Sequence, residues 1–372
     1  MIGNSQPEKE SNSDQDNSDS EIRQNLILYA SCEELRARFL DLTTSRDIAK
    51  LLVVPYESLV YRLYKVPEIN RYKKFALLKK SGGIRTISAP QGSLKIMQRK
   101  LSQVLYSVYI PKPSVHGFTP EKSIVSNAIA HTKKKFVLNI DLKDFFPSIN
   151  FGRVRGMFMA NPYNLGSEVA TVLAQICCYD NQLPQGAPTS PIVSNMICAK
   201  LDSQLQRLAK EHRCTYTRYA DDITLSTTLP NFPASLAFPV LEEKKVKLGN
   251  LLISIIEANG FKLNEKKIRL QSRRERQEVT GLTVNDFPNI SRQFIRQVSA
   301  MLHAWEKFGL QAVEQRYREN YAKYPTRPSK EVSPFVEVLH GKINFIGMVK
   351  GKEHPTYKKY SSQYRNLFNE AP

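Results

Sequence analysis

Two adjacent carboxylates at a turn between two β-type runs constrain this chain more than any other feature. Residues 219–222 read Tyr-Ala-Asp-Asp, and the flanking runs 215–218 and 223–226 are typical of the two strands of a hairpin. A further acid, Asp141, ends a buried-looking apolar strand that starts at Phe136. An Asp-Asp pair alone is more often an ordinary turn. Three carboxylates at two strand ends, in contrast, can hold two Mg²⁺ ions roughly 3.5 to 4 Å apart for an in-line phosphoryl displacement.

The charge of the chain indicates an anionic partner. Of 372 residues, 54 are Lys or Arg and 35 are Asp or Glu, which gives a formal net charge of +19 and a pI near 9.6. Such a basic balance is typical of proteins that bind nucleic acid or an anionic membrane surface, and phosphate binding through it weakens with salt. Residues 1–25 are acidic and polar, with too few apolar side chains to offset the entropy of ordering, so we expect a disordered tail there.

Neither a membrane nor an oxidising compartment is expected. The five cysteines show no CxxC spacing and no paired framework, which favours a reducing cytosol. The N-terminal run is polar and lacks the apolar core of a secretory signal, and the chain has no apolar stretch of about 18 residues. We therefore predict a soluble, cytoplasmic protein without a membrane partner.

Four motifs follow one another in a recognisable order. Lys-Lys-Ser-Gly-Gly-Ile-Arg-Thr-Ile at 79–87 precedes Leu-Pro-Gln-Gly-Ala-Pro-Thr-Ser-Pro at 183–191, and Gly-Phe-Lys-Leu-Asn-Glu-Lys-Lys at 260–267 follows the Tyr-Ala-Asp-Asp turn. Together with Asp141, this order resembles the catalytic core of reverse transcriptases. The resemblance implies an α+β fold of the right-hand polymerase type, with fingers, palm and thumb, in which an antiparallel palm sheet is backed by helices.

Two shorter motifs narrow the resemblance. Asn-Ala-Ile-Ala-His at 127–131 and Val-Thr-Gly at 279–281 are weak signals singly, because Asn and His often bond locally in helices and Thr-Gly is a common loop pair. Jointly they resemble the signatures of bacterial retron reverse transcriptases. That resemblance implies synthesis of branched msDNA from the enzyme's own structured noncoding RNA, primed by the 2′-hydroxyl of an internal guanosine. It also implies a role in antiphage defence with an effector or toxin protein of the same operon.

The predicted organisation along the chain has four parts. After the tail, residues 26–135 form N-terminal helices and fingers, residues 136–285 form the palm with finger insertions at about 151–180, and residues 286–372 form a helical, basic, RNA-binding thumb. Apolar periodicity predicts, among others, helices at 93–109, 121–135, 190–212, 240–259, 291–320 and 335–347.

The resemblance assigns roles to the acids and to one aromatic ring. Asp141, Asp221 and Asp222 would coordinate the two Mg²⁺ ions, with Asp141 and Asp221 bridging both of them. Phe146 would lie beneath the sugar of the incoming nucleotide and exclude ribonucleotides as a steric gate. One ring of the Phe145-Phe146 pair belongs to the core, and the spacing from Asp141 favours Phe146 as the gate.

Other residues would hold the incoming deoxynucleoside triphosphate (dNTP). Charged side chains of the fingers hairpin suit its phosphates, a glycine allows close backbone approach, and a later lysine would steady or protonate the leaving pyrophosphate. The candidates are Lys79, Arg85, Gln185, Gly186 and Lys267. Lys80 remains an alternative to Lys79, and Lys266 to Lys267.

RNA contacts are predicted in two places. The retron-type motifs would supply Asn127, His131, Val279, Thr280 and Gly281. The region from Lys262 to Arg365 has 21 Lys and Arg against 10 acidic residues, with six tyrosines interleaved. Cations for phosphates and aromatic rings for unpaired bases are typical of RNA-binding surfaces, although a solvated helical face with core tyrosines has the same composition.

The predicted partners are the cognate noncoding RNA and its msDNA product, dNTPs, the effector protein and a host ribonuclease H, because no ribonuclease H domain is recognised. Two alternatives stay open. One is a group II intron-like or other stand-alone bacterial reverse transcriptase, against which the motifs at 127–131 and 279–281 argue. The other is a non-catalytic scaffold that binds RNA or msDNA and restrains a toxin, against which the three acids argue.

Overall fold

The computed structural model describes residues 27–78, 83–240, 245–322 and 333–369. These residues fall into two units: one lies within Met1–Lys74, Ser88–Ile110 and Asn150–Val193, and the other within Phe75–Ile87, Pro111–Ile149 and Ser194–Pro372. The predicted tail at 1–25 and the predicted dNTP ligand Lys79, with its alternative Lys80, lie outside the described residues. No helix in the described ranges is long and apolar enough to cross a membrane.

The described residues form the following α-helices and strands, numbered in chain order. The α-helices are α1 (Cys32–Leu40), α2 (Ser45–Leu51), α3 (Tyr56–Val60), α4 (Gly92–Val108), α5 (Ile124–Ile129), α6 (Phe151–Met159), α7 (Ser167–Cys177), α8 (Ser190–Glu211), α9 (Asn250–Ala258), α10 (Arg292–Ala322), α11 (Phe335–Lys350) and α12 (Pro355–Asn369). The strands are β1 (Tyr72–Leu78), β2 (Ile84–Pro90), β3 (Phe136–Lys143), β4 (Thr215–Tyr219), β5 (Asp222–Thr227), β6 (Ala237–Val240), β7 (Lys245–Leu248), β8 (Lys262–Leu263), β9 (Arg269–Ser272), β10 (Glu278–Val279) and β11 (Leu282–Thr283).

The first unit is mainly helical. Its longest complete helix, α4, buries apolar side chains three or four residues apart, which is the spacing of one helical face. Gln98 lies on this buried face, and its Nε2 donates to the Tyr72 hydroxyl at 2.8 Å and to the Ile176 carbonyl at 2.7 Å. Strands β1 and β2 pair with each other as the predicted hairpin.

A five-stranded antiparallel sheet lies at the centre of the second unit. Its middle strand, β3, pairs with β5 on one side and with β8 and β9 on the other, and β4 pairs with the far side of β5. Most of β3 is buried, as its apolar sequence predicts. The register sets Asp141 directly opposite Asp222, so strand pairing alone brings two of the predicted acids together.

The C-terminal helices of this unit pack on an apolar core that also contains side chains of α5, β3, β10 and β11. Helix α10 is interrupted at Gly309, whose φ of 76° is one that residues with a side chain rarely adopt. The core side chains include Val298, Leu302, Trp305, Leu339, Ile343 and Ile346. The mixed helical and antiparallel architecture agrees with the predicted α+β class, whereas the residue bounds of fingers, palm and thumb remain predictions.

Three helix predictions need correction. Helix α5 covers only six residues of the predicted 121–135, because Ser123 caps its start and Lys133 already has a φ of 57°. The predicted helix 240–259 begins only at Asn250, because β6 and β7 pair as a hairpin before it. Helix α12 is missing from the prediction, since its sequence is rich in Tyr, Ser and Asn, which are weak helix formers.

Candidate active site

The Tyr-Ala-Asp-Asp motif folds as the predicted hairpin. Strand β4 ends at Tyr219, β5 begins at Asp222, and these two residues pair, so Ala220 and Asp221 alone form the turn. Ala220 has a φ of 55°, the positive value that a type II′ turn requires at its first loop residue. The Asp221 carbonyl accepts from the amide of Leu142 at 3.0 Å, which fixes the turn to the end of β3.

A buried ion pair holds this hairpin from behind. The guanidinium of Arg218, which is 0% exposed, donates to both carboxylate oxygens of Asp202 in α8 at 2.7 and 2.8 Å. Its Nη1 donates to the carbonyl of Ala220 at 3.0 Å, and the Tyr216 hydroxyl donates to Asp202 at 2.7 Å. Because a guanidinium fork makes such contacts directional, the Ala220 peptide is fixed relative to α8.

The loop at Gly117 packs against the same turn. The amide of His116 donates to the Arg218 carbonyl at 2.8 Å, and the Gly117 carbonyl accepts from Asn195 Nδ2 at 2.9 Å. A Cβ atom on Gly117 would lie 2.3 Å from the backbone nitrogen of Ala220. Only glycine therefore allows the loop to approach the turn this closely.

The acids of the site repel one another, and polar neighbours offset part of their negative charge. Desolvation, and then the charge of Asp141, raises the pKa of Asp221. Desolvation, and then the charges of Asp221 and Asp141, raises the pKa of Asp222 to about 6. Lys267 Nζ lies 2.6 Å from one oxygen of Asp141, and Asn264 Nδ2 donates to the other at 2.8 Å. Cations are therefore stabilised beside these carboxylates.

The chemistry of this donor set suits Mg²⁺. In the described part of the chain, no three His, Cys, Asp or Glu side chains are arranged to hold an ion by themselves. Mg²⁺ is usually bound by one or two carboxylates together with substrate phosphates and water, so such a cage is not required. The carboxylate oxygens of Asp141, Asp221 and Asp222 repel one another, and a bound divalent cation would relieve that repulsion.

A cavity of about 260 Å³ opens beside these acids. Asp141 and Asp222 line it together with Thr280 and Gly281, which form the turn between β10 and β11. Thr280 has a φ of 46° and Gly281 one of 80°, and this left-handed backbone is uncommon for a β-branched residue such as Thr280. The retron-type Val-Thr-Gly motif thus adjoins the predicted metal site.

Three of the predicted RNA contacts are buried. His131 is 0% exposed, and its ring nitrogens lie 2.7 Å from the hydroxyls of Ser226 and Thr217 beneath the hairpin strands. Burial, and then the charges of Lys134 and His116, lowers the pKa of His131 to about 3, so the ring is neutral. Asn127 and Val279 are 1% exposed. These three side chains are therefore buried rather than presented on the surface, and their part in RNA binding stays a prediction.

The predicted nucleotide contacts lie in both units. In the second unit, Arg85 is exposed on β2, and Phe146 is half-buried with its ring 6.1 Å from that of Phe118. Phe145 is the core ring of the pair and stacks on Phe261 at 5.6 Å. In the first unit, Gln185 accepts through its carbonyl from the Ser88 amide at 2.8 Å, and Gly186 has a φ of 118°. Of the two competing lysines, Lys267 is the one that contacts Asp141.

Several residues that shape the site have no role in the sequence prediction. Arg218 and Asp202 form the ion pair, and Asn195, Gly117 and Asn264 complete the contacts around the acids. Two signals could have found the ion pair: an arginine inside a β-type run directly before Tyr-Ala-Asp-Asp, and an acid inside the apolar stripe of the 190–212 helix. Charged residues at such positions are expected to be paired when buried.

Comparison with known proteins defines the class. The family described as reverse transcriptase (RNA-dependent DNA polymerase) matches residues 77–285, and the chain belongs to this family of RNA-directed DNA polymerases. The predicted right-hand polymerase fold class is confirmed by this match and by the antiparallel sheet. Among solved structures, a chain of the telomerase from Candida albicans aligns at 11% identity. The alignment covers 84% of this chain and 67% of the telomerase chain, and its TM-score of 0.39 is too low to inform the site.

Within that class the chain belongs to the retron reverse transcriptases. It is 37% identical to the retron Mx65 reverse transcriptase of Myxococcus xanthus over 70% of this chain and 62% of that protein. It is 36% identical to the retron Ec86 reverse transcriptase of Escherichia coli over 69% of this chain and 76% of the relative. The chain is 33% identical to the retron Mx162 reverse transcriptase of Myxococcus xanthus, over 74% of this chain and 61% of the relative. The chain therefore spans less than two thirds of two of these three relatives.

Gly117→Ala should displace the Ala220 turn, because the new methyl group would overlap a backbone atom rather than a flexible side chain. We expect a loss of DNA synthesis of roughly 10²-fold, the typical effect of moving catalytic groups by about 1 Å. The measurement is primer extension on an RNA template. Gly156→Ala is the matched control, because a Cβ there meets nothing within 4 Å, and equal activity of the two variants would contradict the packing argument.

Proposed function

We propose that this protein synthesises DNA on an RNA template by two-metal nucleotidyl transfer, as a retron reverse transcriptase making branched msDNA from its own structured noncoding RNA. The observation that carries the proposal is the pairing of Asp141 with Asp222 across adjacent strands, with Asp221 in the turn between β4 and β5. Family membership supports polymerisation as the reaction. The priming group would be the 2′-hydroxyl of an internal guanosine, which remains part of the proposal.

Asp141, Asp221 and Asp222 would hold the two Mg²⁺ ions. Bound metal would activate the attacking hydroxyl and stabilise the leaving oxygen. A pKa of about 6 leaves the Asp222 carboxylate mostly ionised at neutral pH and available as a ligand. Lys267 reaches Asp141 from an exposed stem, with 60% of its side chain accessible, and this supports a role in steadying the leaving pyrophosphate.

The incoming dNTP would contact the residues that the sequence motifs assign to it. Lys79 and Arg85 would contact its phosphates, and Gln185 and Gly186 its base and template side. The positive φ of Gly186 supports a backbone that approaches the nucleotide closely. Residues 26–135, 136–285 and 286–372 would then act as fingers, palm and thumb.

Asp141→Asn and Asp221→Asn should each reduce primer extension on an RNA template in Mg²⁺ by at least about 10³-fold, because a lost metal ligand removes several kcal/mol of transition-state stabilisation. Asp286→Asn is the control, since Asp286 forms an exposed ion pair with Arg273 that contributes little. Near-normal extension by folded Asp141→Asn protein would refute metal binding there. An inactive wild-type protein that still binds RNA would favour the non-catalytic scaffold.

Phe146→Val should increase incorporation of ribonucleotides relative to deoxynucleotides, because a smaller side chain leaves room for a 2′-hydroxyl. The half-buried position of Phe146, against the buried Phe145, supports this gate. The measurement is the ratio of incorporation efficiencies for matched rNTP and dNTP on one primed template. An unchanged ratio in an active variant would assign the gate to another residue.

Thr280 and Gly281 would contact the RNA that starts synthesis. Both line the cavity beside Asp141 and Asp222. The Thr280 hydroxyl donates to the Ile124 carbonyl at 3.3 Å, and Asn127 Nδ2 lies 3.5 Å from it, so α5 supports the left-handed turn. Asn127, like Val279 in the adjoining strand, would thus act by holding the turn, while His131 would hold the strands of the metal hairpin.

Replacing Thr280 by Val together with Gly281 by Ala should suppress DNA synthesis started on the cognate RNA, while extension of a generic annealed primer persists. The change removes the supporting hydroxyl and places a Cβ where φ is 80°. Both assays run on the same preparation. An equal loss in both would mean that the turn supports the fold or the metal site and does not select RNA.

Branched msDNA made in the cytoplasm would need further partners. An effector protein of the same operon and a host ribonuclease H are proposed on the resemblance to retrons, together with a role in antiphage defence. Recovery of RNA-linked DNA from cells that express the chain with its adjoining locus would support this. Linear, unbranched DNA in such cells would instead favour a group II intron-like or other stand-alone enzyme.

A further inference from the structure

Three aromatic rings stack in series on the C-terminal helices of the second unit. The ring of His340 in α11 lies 5.1 Å from that of Tyr364 in α12, with the planes 13° apart. The Tyr364 ring lies 5.9 Å from that of Phe368, with the planes 18° apart. Because Tyr364 and Phe368 are four residues apart in one helix, they lie on the same helical face. We call these three residues the ring stack.

The middle of the ring stack is anchored and its ends are accessible. The Tyr364 ring meets the edge of Trp305, a core residue, at 5.6 Å, and its hydroxyl donates to the Val336 carbonyl at 3.4 Å. Phe368, in contrast, is 53% exposed, and His340 is also exposed. The stack is therefore a rigid extension of the apolar core that presents aromatic surface to solvent.

The surrounding charge identifies the class of ligand that fits this surface. Helix α12 carries Lys358, Lys359 and Arg365 and no acidic residue. Lys358 is paired with Glu353 at 2.6 Å, whereas Arg365 is exposed and lies beside Phe368, three residues before it in the same helix. Planar rings beside an exposed cation match the two chemical parts of a single-stranded nucleic acid, its bases and its phosphates.

We propose that the ring stack binds an unpaired base of the RNA by continuing the stack beyond Phe368 or His340, while Arg365 contacts an adjoining phosphate. This inference rests on the proposed function, in which the chain recognises a structured RNA, and it names the feature of that RNA which the C-terminal helices bind. Stacking is tolerant of base identity, so the site distinguishes unpaired from paired RNA rather than one sequence from another.

The test compares two RNA probes that share one stem: a stem-loop with an unpaired 3′ extension carrying 2-aminopurine, and the fully paired stem. Binding to the full chain is measured by anisotropy over a range of salt concentrations. The variants are Phe368→Leu, His340→Gln and Arg365→Gln. Phe308→Leu is the matched control, because Phe308 is 57% exposed and lies outside the ring stack.

Phe368→Leu or His340→Gln should weaken binding of the extended probe by about 5-fold or more, the lower end for a base stacked on an aromatic ring. The quenching of 2-aminopurine should be lost in the same variant, with the salt dependence and the paired probe unchanged. The Arg365 change should instead weaken both probes and reduce the slope of affinity against salt. These results together would establish the site.

Other results would overturn it. Unchanged binding of the extended probe in both ring variants would mean that these exposed rings serve a partner other than RNA. Equal weakening of both probes would mean that the rings act through packing of the helices, and a comparable loss in Phe308→Leu would mean that any exposed ring suffices. Primer extension on the same preparations keeps the two proposals separate, because the binding test does not require polymerase activity.

Discussion

The buried ion pair between Arg218 and Asp202 is the interaction on which the site depends. Both side chains are 0% exposed, and breaking such a pair by removing one partner typically costs about 3–5 kcal/mol, because an uncompensated charge is left in the interior. The contact is directional as well as strong, since one guanidinium joins α8 to the carbonyl of Ala220. The turn that carries Asp221 is thus held in place by a contact with α8, outside the hairpin itself.

The same region explains why the acids need so much support. Burial removes water from Asp221 and Asp222 and is the main reason that their pKa is raised, and repulsion among the three neighbouring carboxylates adds to it. Strand register, Lys267 and the close approach of Gly117 hold the acids against this repulsion. The two retron-type motifs contribute to this support. In the motif at 127–131, His131 contacts the strands of the hairpin, and the motif at 279–281 forms the turn beside the cavity.

Local sequence was sufficient for the parts of the site that follow from strand geometry. The run ending at Asp141 and the motif at 219–222 predicted a strand and a hairpin, and antiparallel pairing then sets their acids opposite each other. The burial of Asn127 and His131 could not be read in this way, because polar residues in a predicted helical segment are usually exposed. Only the contacts of Asn127 with Thr280 and of His131 with β4 and β5 show otherwise. The pairing of Arg218 with Asp202 likewise depends on how α8 lies against the sheet. Weak helix formers concealed α12, where tertiary packing of Tyr360 and Tyr364 overrides propensity.

The most direct test of this account is the rate of first-nucleotide addition in Arg218→Lys protein under single-turnover conditions. Lysine retains the positive charge but loses the fork that reaches both Asp202 and Ala220. The account predicts a fall of roughly 10²-fold in that rate, as expected for a small displacement of catalytic groups, with binding of primed RNA and of dNTP retained. A folded Arg218→Lys protein that adds the first nucleotide at the wild-type rate would contradict it.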